Sequence, residues 1–129
     1  MSDTPAAPRG ELSIRTVAMP ADTNPSGDMF GGWVMSQIDL AGALHAHRRV
    51  PGRTATVAVD GIVFHKPVFV GDQVSCYTET VRIGNTSISV RVEVWVQRRQ
   101  DPSEILVTSA TITYVHIDEN RRPTPIPKG

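Results

Sequence analysis

A single proline-free stretch of helical period stands in a chain that otherwise reads as strand. No other feature narrows the possible folds as much. Within residues 33–49, Val34, Ile38, Ala41 and Leu44 recur at i, i+4, i+7 and i+10, and Val50-Pro51-Gly52 ends the pattern. Met35, Leu40, Ala43 and Ala46 lie off that stripe, so the helix is expected to be largely buried. Gly42, near its middle, costs about 1 kcal/mol relative to alanine, which implies that another element packs closely there.

The remaining segments have strand character. Residues 11–17 form a short apolar-polar run, 54–64 are rich in β-branched residues, and 73–82 end at the turn Ile83-Gly84-Asn85. Residues 87–98 carry the clearest signal. Ile88, Val90, Val92, Val94 and Val96 alternate with Ser89, Arg91, Glu93, Trp95 and Gln97, the pattern of a half-buried antiparallel strand with Arg91 solvated. After Asp101-Pro102-Ser103, residues 105–117 are apolar on both faces in places and read as an interior strand. One helix cannot cover both faces of such a sheet. The expected fold is therefore α+β, an antiparallel sheet of about five strands wrapped around one long central helix. That is a hot-dog fold, and it leaves the other face or an edge of the sheet for a partner.

At 129 residues one domain is expected, and 13 basic against 13 acidic residues argue against binding nucleic acid through bulk charge. The prolines crowd the ends: Pro5 and Pro8, then Pro123, Pro125 and Pro127. Residues 1–10 are thus expected to be a disordered tail, 11–120 the folded domain, and 121–129 a Pro-rich tail adding little core. No apolar run approaches about 18 residues, and the first residues lack a charged-then-apolar leader, so neither a membrane span nor a secretory signal is expected. With Cys76 as the single cysteine, a cytoplasmic location follows, and Cys76 itself reads as a core or interface residue.

Three groups are candidates for chemistry. Asp39 lies in the helix between Ile38 and Leu40, with Met35 and Ala43 rather than cations at i−4 and i+4. A carboxylate so placed either faces a solvated cleft or bonds the Ser36 hydroxyl, or else it forms a pocket wall and acts as general base or nucleophile. The long loop of residues 19–32 ends in Gly31-Gly32. It is either a glycine-rich turn capped by Asp28 or a set of helix-start amides suited to an oxyanion. Lys66, Arg82 and Arg91, with Arg121 and Arg122 near the tail, are either solvated surface charges or, for Lys66 and Arg82 at strand ends, a phosphate grip. His45, His47, His65 and His116 show no zinc-ligand spacing, and no metal is expected.

The stretches MPADTNPSGDMFGGWVMSQIDLAG, TVAVDGIVFHKPVFVGDQV and VRIGNTSISVRVEVWV together resemble the bacterial hot-dog acyl-CoA thioesterases of the YciA type, in the same order over about residues 11–127. The resemblance implies hydrolysis of acyl-coenzyme A to free acid and CoA, with no cofactor beyond the CoA carried by the substrate. It makes Asp39 the catalytic acid and Asn24 the loop asparagine that meets it across a subunit interface. Thr56 becomes the strand residue that helps place water, and Gly31 and Gly32 the source of amides facing the thioester oxygen. Phe30 stands where several relatives carry histidine, which removes any imidazole role and argues against a hot-dog dehydratase. The resemblance also implies a dimer and a hexamer built as a trimer of dimers. Lys66, Arg82, Asn85 and Ser87 are then the candidates for the CoA nucleotide and phosphates, and Met29 and Met35 for setting acyl length. The alternative is a non-catalytic acyl-CoA binding or sensing protein on the same fold.

Overall fold

The computed structural model describes residues 7–128. Five strands, β1 (Glu11–Val17), β2 (Arg53–Phe64), β3 (Gln73–Ile83), β4 (Ser87–Gln97) and β5 (Glu104–Ile117), form one antiparallel sheet in the order β1-β3-β4-β5-β2. The helix, α1 (Gly31–Arg49), lies across one face of it. The α+β hot-dog architecture expected from the pattern is the one observed, and each element falls within two residues of its expected bounds.

The alternation in β4 puts Ile88, Val90, Val92, Val94 and Val96 on the helix side, all fully buried. From α1 they meet Val34, Ile38, Ala41 and Ala46, and the two alanines let the helix settle close to the sheet. Cys76 on β3 belongs to this core, where desolvation pushes its thiol up to about 12.

The helix is not buried all round. Met35, Leu40 and Leu44 are exposed, contrary to the expectation for both the stripe and its flanks. A single sheet covers about half of a helix, and among the described residues nothing covers the apolar residues on the far side.

Two further expectations fail on the outer face of the sheet. Glu93 and Trp95, on the polar side of the β4 alternation, are 1% and 3% exposed. The segment before β1 runs across them. Arg9 donates from Nε to Glu93 Oε2 at 2.7 Å and from its backbone N–H to Oε1 at 3.2 Å, and Trp95 Nε1 adds a third donor at 3.0 Å. Arg91 is likewise ion-paired rather than solvated, 2.5 Å from Glu79 and 3.8 Å from Glu93.

At the other terminus, the segment expected to add little core returns along the sheet. Thr124 N–H donates to His116 O, Ile126 N–H donates to Asn85 O, and the Ile126 side chain is buried. The described part of the first ten residues likewise contributes Arg9, while residues 1–6 lie outside the described residues.

Arg9→Ala removes the only full positive charge within 3.5 Å of the buried Glu93 carboxylate among the described residues. It is expected to lower unfolding free energy by about 1–3 kcal/mol in urea titration. A loss below about 0.5 kcal/mol, the scale of an ordinary surface substitution, would show that Trp95 and Arg91 suffice.

Candidate active site

Asp39 occupies the third turn of α1, half-buried at the margin between the helix and β2. Opposite it, Thr56 of β2 and Tyr114 of β5 are direct cross-strand partners, and both side chains reach the helix. Thr56 Oγ1 donates to Asp39 Oδ1 at 2.8 Å. The Tyr114 hydroxyl donates toward the Asp39 backbone carbonyl at 2.8 Å and Oδ1 at 3.1 Å. The β2–β5 register slips between Thr56 and Ala58, just where β2 passes the carboxylate. Ser36 is not a partner, because its hydroxyl donates back to the Trp33 carbonyl at 2.7 Å.

This arrangement loads one carboxylate oxygen. Among the described residues no donor reaches Oδ2. Asp39 lines a cleft of about 270 Å³ with Gly32, Met35, Thr56, Val59 and Ile112, a mostly apolar wall around one acid. An anchored, half-desolvated carboxylate with one free oxygen can take a proton from water or attack a carbonyl.

The loop preceding α1 forms a second cleft. Asn24 Oδ1 accepts from the N–H groups of Ser26 and Asp28 at 3.0 and 3.1 Å, which folds the loop on itself and commits the side-chain carbonyl. Met29 N–H donates to Val68 O, tying the loop to the segment after β2. Phe30, not Asp28, caps the helix, and no side chain bonds its first amides. Asn24, Gly31, Phe64, Lys66 and Thr108 line this cleft of about 280 Å³, and the buried Thr108 hydroxyl has no partner there.

The candidate residues therefore divide. Asp39, Thr56 and Gly32 share one cleft, whereas Asn24, Gly31 and Lys66 share another. Arg82, Asn85 and Ser87 sit at the β3–β4 turn, level with Val115, whereas Lys66 follows Phe64, level with Thr108 at the opposite end of the sheet. One chain does not bring Lys66 to the other three, nor Asn24 to Asp39.

Tyr114 was not among the candidates read from the sequence. Its signal was indirect. Gly42 called for a close neighbour, and that neighbour is Tyr114, whose hydroxyl lies where a β-carbon on residue 42 would stand.

A third cleft, of about 360 Å³, lies at the C-terminal end of α1, between Arg48, Arg49, Glu11 and Glu79. Within it the His45 ring is buried, with Nδ1 2.9 Å from Thr78 Oγ1 and Nε2 2.7 Å from Thr80 Oγ1. Desolvation first, then the Arg48 charge, lower its pKa below 6.5, against the opposing pull of Glu11 and Glu79.

Comparison with known proteins shows the family to which such a chain belongs. The Thioesterase superfamily profile matches residues 26–103. The acyl-CoA thioester hydrolase YciA of Salmonella typhimurium (strain LT2) is 49% identical over 123 residues, covering 93% of this chain and 92% of its own. A hexameric thioesterase from Yersinia pestis superposes with a TM-score of 0.92 at 48% identity, covering 95% of this chain and 100% of that one. A hexameric hotdog fold thioesterase of Campylobacter jejuni gives 0.87 at 51% identity, covering 92% and 91%.

The depressed His45 pKa has a defined consequence for stability. The unfolded chain binds a proton at this residue near pH 6.5, the folded chain only at lower pH. Stability is therefore lost as pH falls below 6.5 and levels off once the folded value is passed. His45→Gln is expected to flatten the urea midpoint between about pH 5 and 7. Equal slopes in the two proteins would exclude His45 as the source.

Proposed function

This chain belongs to the thioesterase superfamily and is an acyl-CoA thioester hydrolase of the YciA type, and from that premise we propose how its residues carry the reaction. Asp39 is the acting carboxylate. The observation that carries this assignment is its divided environment: Oδ1 is held by Thr56 and Tyr114, no donor reaches Oδ2 among the described residues, and the residue lines a mostly apolar cleft. The Gly31 and Gly32 amides, uncapped at the positive end of the helix dipole, stabilise the negative charge that develops on the thioester oxygen.

In the general-base form, a water oxygen bonds to the carbonyl carbon while its proton passes to Asp39 Oδ2. The tetrahedral intermediate then collapses, the carbon–sulfur bond breaks, and the departing CoA sulfur takes up the proton held by Asp39. In the nucleophilic form, Oδ2 itself bonds to the carbon, and the carbon–sulfur bond breaks with CoA leaving as its thiolate. Water then cleaves the mixed anhydride, releasing the free acid and Asp39 as its carboxylate while the remaining proton of the water goes to the CoA thiolate. Both forms need Asp39 ionised and its Oδ2 unobstructed. Neither draws on a metal or redox cofactor, since CoA enters as part of the substrate.

Asn24 is supplied to Asp39 by a second copy of the chain. Two observations support self-association. β2 is an edge strand carrying exposed Val57, Val59, Val63 and Phe64, and beside it α1 exposes Met35, Leu40 and Leu44. An unpaired strand edge with an apolar border is a template for another copy. We take the dimer so formed as the unit of a hexamer, the state named for the Yersinia pestis and Campylobacter jejuni proteins. Lys66, at the rim of the Asn24 cleft, is placed to meet a CoA phosphate. Arg82, Asn85 and Ser87, at the far end of the sheet, can serve the same molecule only from another subunit. The buried, unpaired Cys76 thiol is consistent with a cytoplasmic location, as is the absence, among the described residues, of a helix able to cross a membrane.

Asp39→Asn is expected to keep its fold and its CoA binding, and to lose at least about 100-fold in turnover, followed as thiol release from acyl-CoA. Parental turnover would sink the assignment and leave a binding protein on the same fold. Co-refolding equal amounts of Asp39→Asn and Asn24→Ala tests the shared site. Random pairing makes half the dimers mixed, each with one intact site of two, so about a quarter of parental activity returns. No recovery would place the two residues in one chain.

A further inference from the structure

We propose that Tyr114 is a positioning residue for the hydrolysis, fixing the Asp39 rotamer from behind so that Oδ2 is the oxygen presented to the substrate. This rests on the assignment of Asp39 made above.

Tyr114 is 1% exposed and does not line the Asp39 cleft, so it acts on the substrate only through Asp39. Both acceptors of its hydroxyl belong to that one residue, the backbone carbonyl at 2.8 Å and Oδ1 at 3.1 Å. A single proton shared between them ties the carboxylate to its own stretch of helix, and with Thr56 it fills Oδ1. Burial, then the Asp39 charge, drive the phenol well above its ordinary range. Its proton therefore stays in place at any pH where the enzyme works, and Tyr114 is a donor throughout. Donation to an ionised carboxylate favours the ionised form.

Packing alone does not account for this tyrosine. Its hydroxyl occupies the space a β-carbon on Gly42 would take, so the helix carries a glycine in its interior to admit it. Phenylalanine at 114 with alanine at 42 would remove the buried polar atom, with the ring giving by a few tenths of an ångström where the new β-carbon stands 3.1 Å from two of its carbons. What that pair would lack is the contact to Asp39.

The test uses the full chain, with thiol release from acyl-CoA measured across about pH 5–9, a range that spans the acid limb set by a carboxylate and the neutral plateau. In Tyr114→Phe, kcat is expected to fall about tenfold with KM changed less than about twofold. The acid limb of the pH–rate profile is expected to move to higher pH, because the variant lacks the donor to Oδ1. Gly42→Ala, which displaces the hydroxyl but keeps the ring, should move the limb in the same direction. The double variant Gly42→Ala/Tyr114→Phe, freed of the clash with the hydroxyl, should melt above Gly42→Ala without regaining kcat or the acid limb.

Parental kcat and acid limb in Tyr114→Phe would overturn the proposal, as would a change confined to KM. If Tyr114→Phe does not fold, the double variant gives the same readout. If neither folds, the hydroxyl is a structural requirement and the positioning role is wrong. Asp39→Asn separates the two levels. An active Asp39→Asn removes the assignment beneath, whereas an inactive Asp39→Asn beside a parental Tyr114→Phe removes this inference alone.

Discussion

One helix against one sheet is the constraint from which the rest of this molecule follows. The inner face of β4 is a continuous apolar row, and α1 presents Val34, Ile38, Ala41 and Ala46 to it. With no second layer available, every other apolar surface must be covered by chain ends or by another molecule. The outer face of the sheet is closed by Arg9 lying over Glu93 and Trp95, and a core margin by Ile126. Among the described residues the far side of α1 and the edge of β2 have no such cover, and there the chain presents its apolar residues outward.

The same constraint locates the chemistry. A carboxylate deep in the helix-sheet interface would be costly, and one on the outer side of the helix would be only a surface charge. Asp39 lies between these limits, at the border where α1 meets β2 and the sheet ends. It keeps one oxygen between two hydroxyls while the residue lines a mostly apolar cleft. The loop that carries Asn24 opens instead onto a cleft lined by Gly31, Phe64 and the segment after β2, while Gly32 lines the Asp39 cleft.

What the sequence disclosed depended on how local the cause was. The β4 alternation is a period-two pattern within eleven residues, and it read directly as strand. Asp39 stood out because its helical neighbours are apolar and none could pair with it. Gly42 told of a close contact but not of its partner, since Tyr114 arrives from a strand 72 positions later, a pairing that no local pattern encodes. Glu93 looked solvent-facing because its cover, Arg9, is 84 residues away. Leu40 and Leu44 looked buried because an apolar helix position does not say which surface will cover it, the chain's own sheet or another copy. The separation of Asn24 from Asp39 into two clefts was invisible to spacing altogether.

The strand order has a temporal side. Only β3–β4 and β4–β5 join strands adjacent in sequence, whereas β1 waits for β3 and β2 waits for β5. Loop-closure entropy makes the β3–β4–β5 meander the part of the sheet that forms with least loss of chain freedom. During synthesis, then, the helix and the first two strands leave the ribosome before any surface exists on which they can settle. The half of the chain that carries Asn24 and Asp39 has no sheet to pack against until the other half is made. An incomplete chain would thus display an apolar helix with no sheet beneath it, a species that cellular quality control is equipped to recognise.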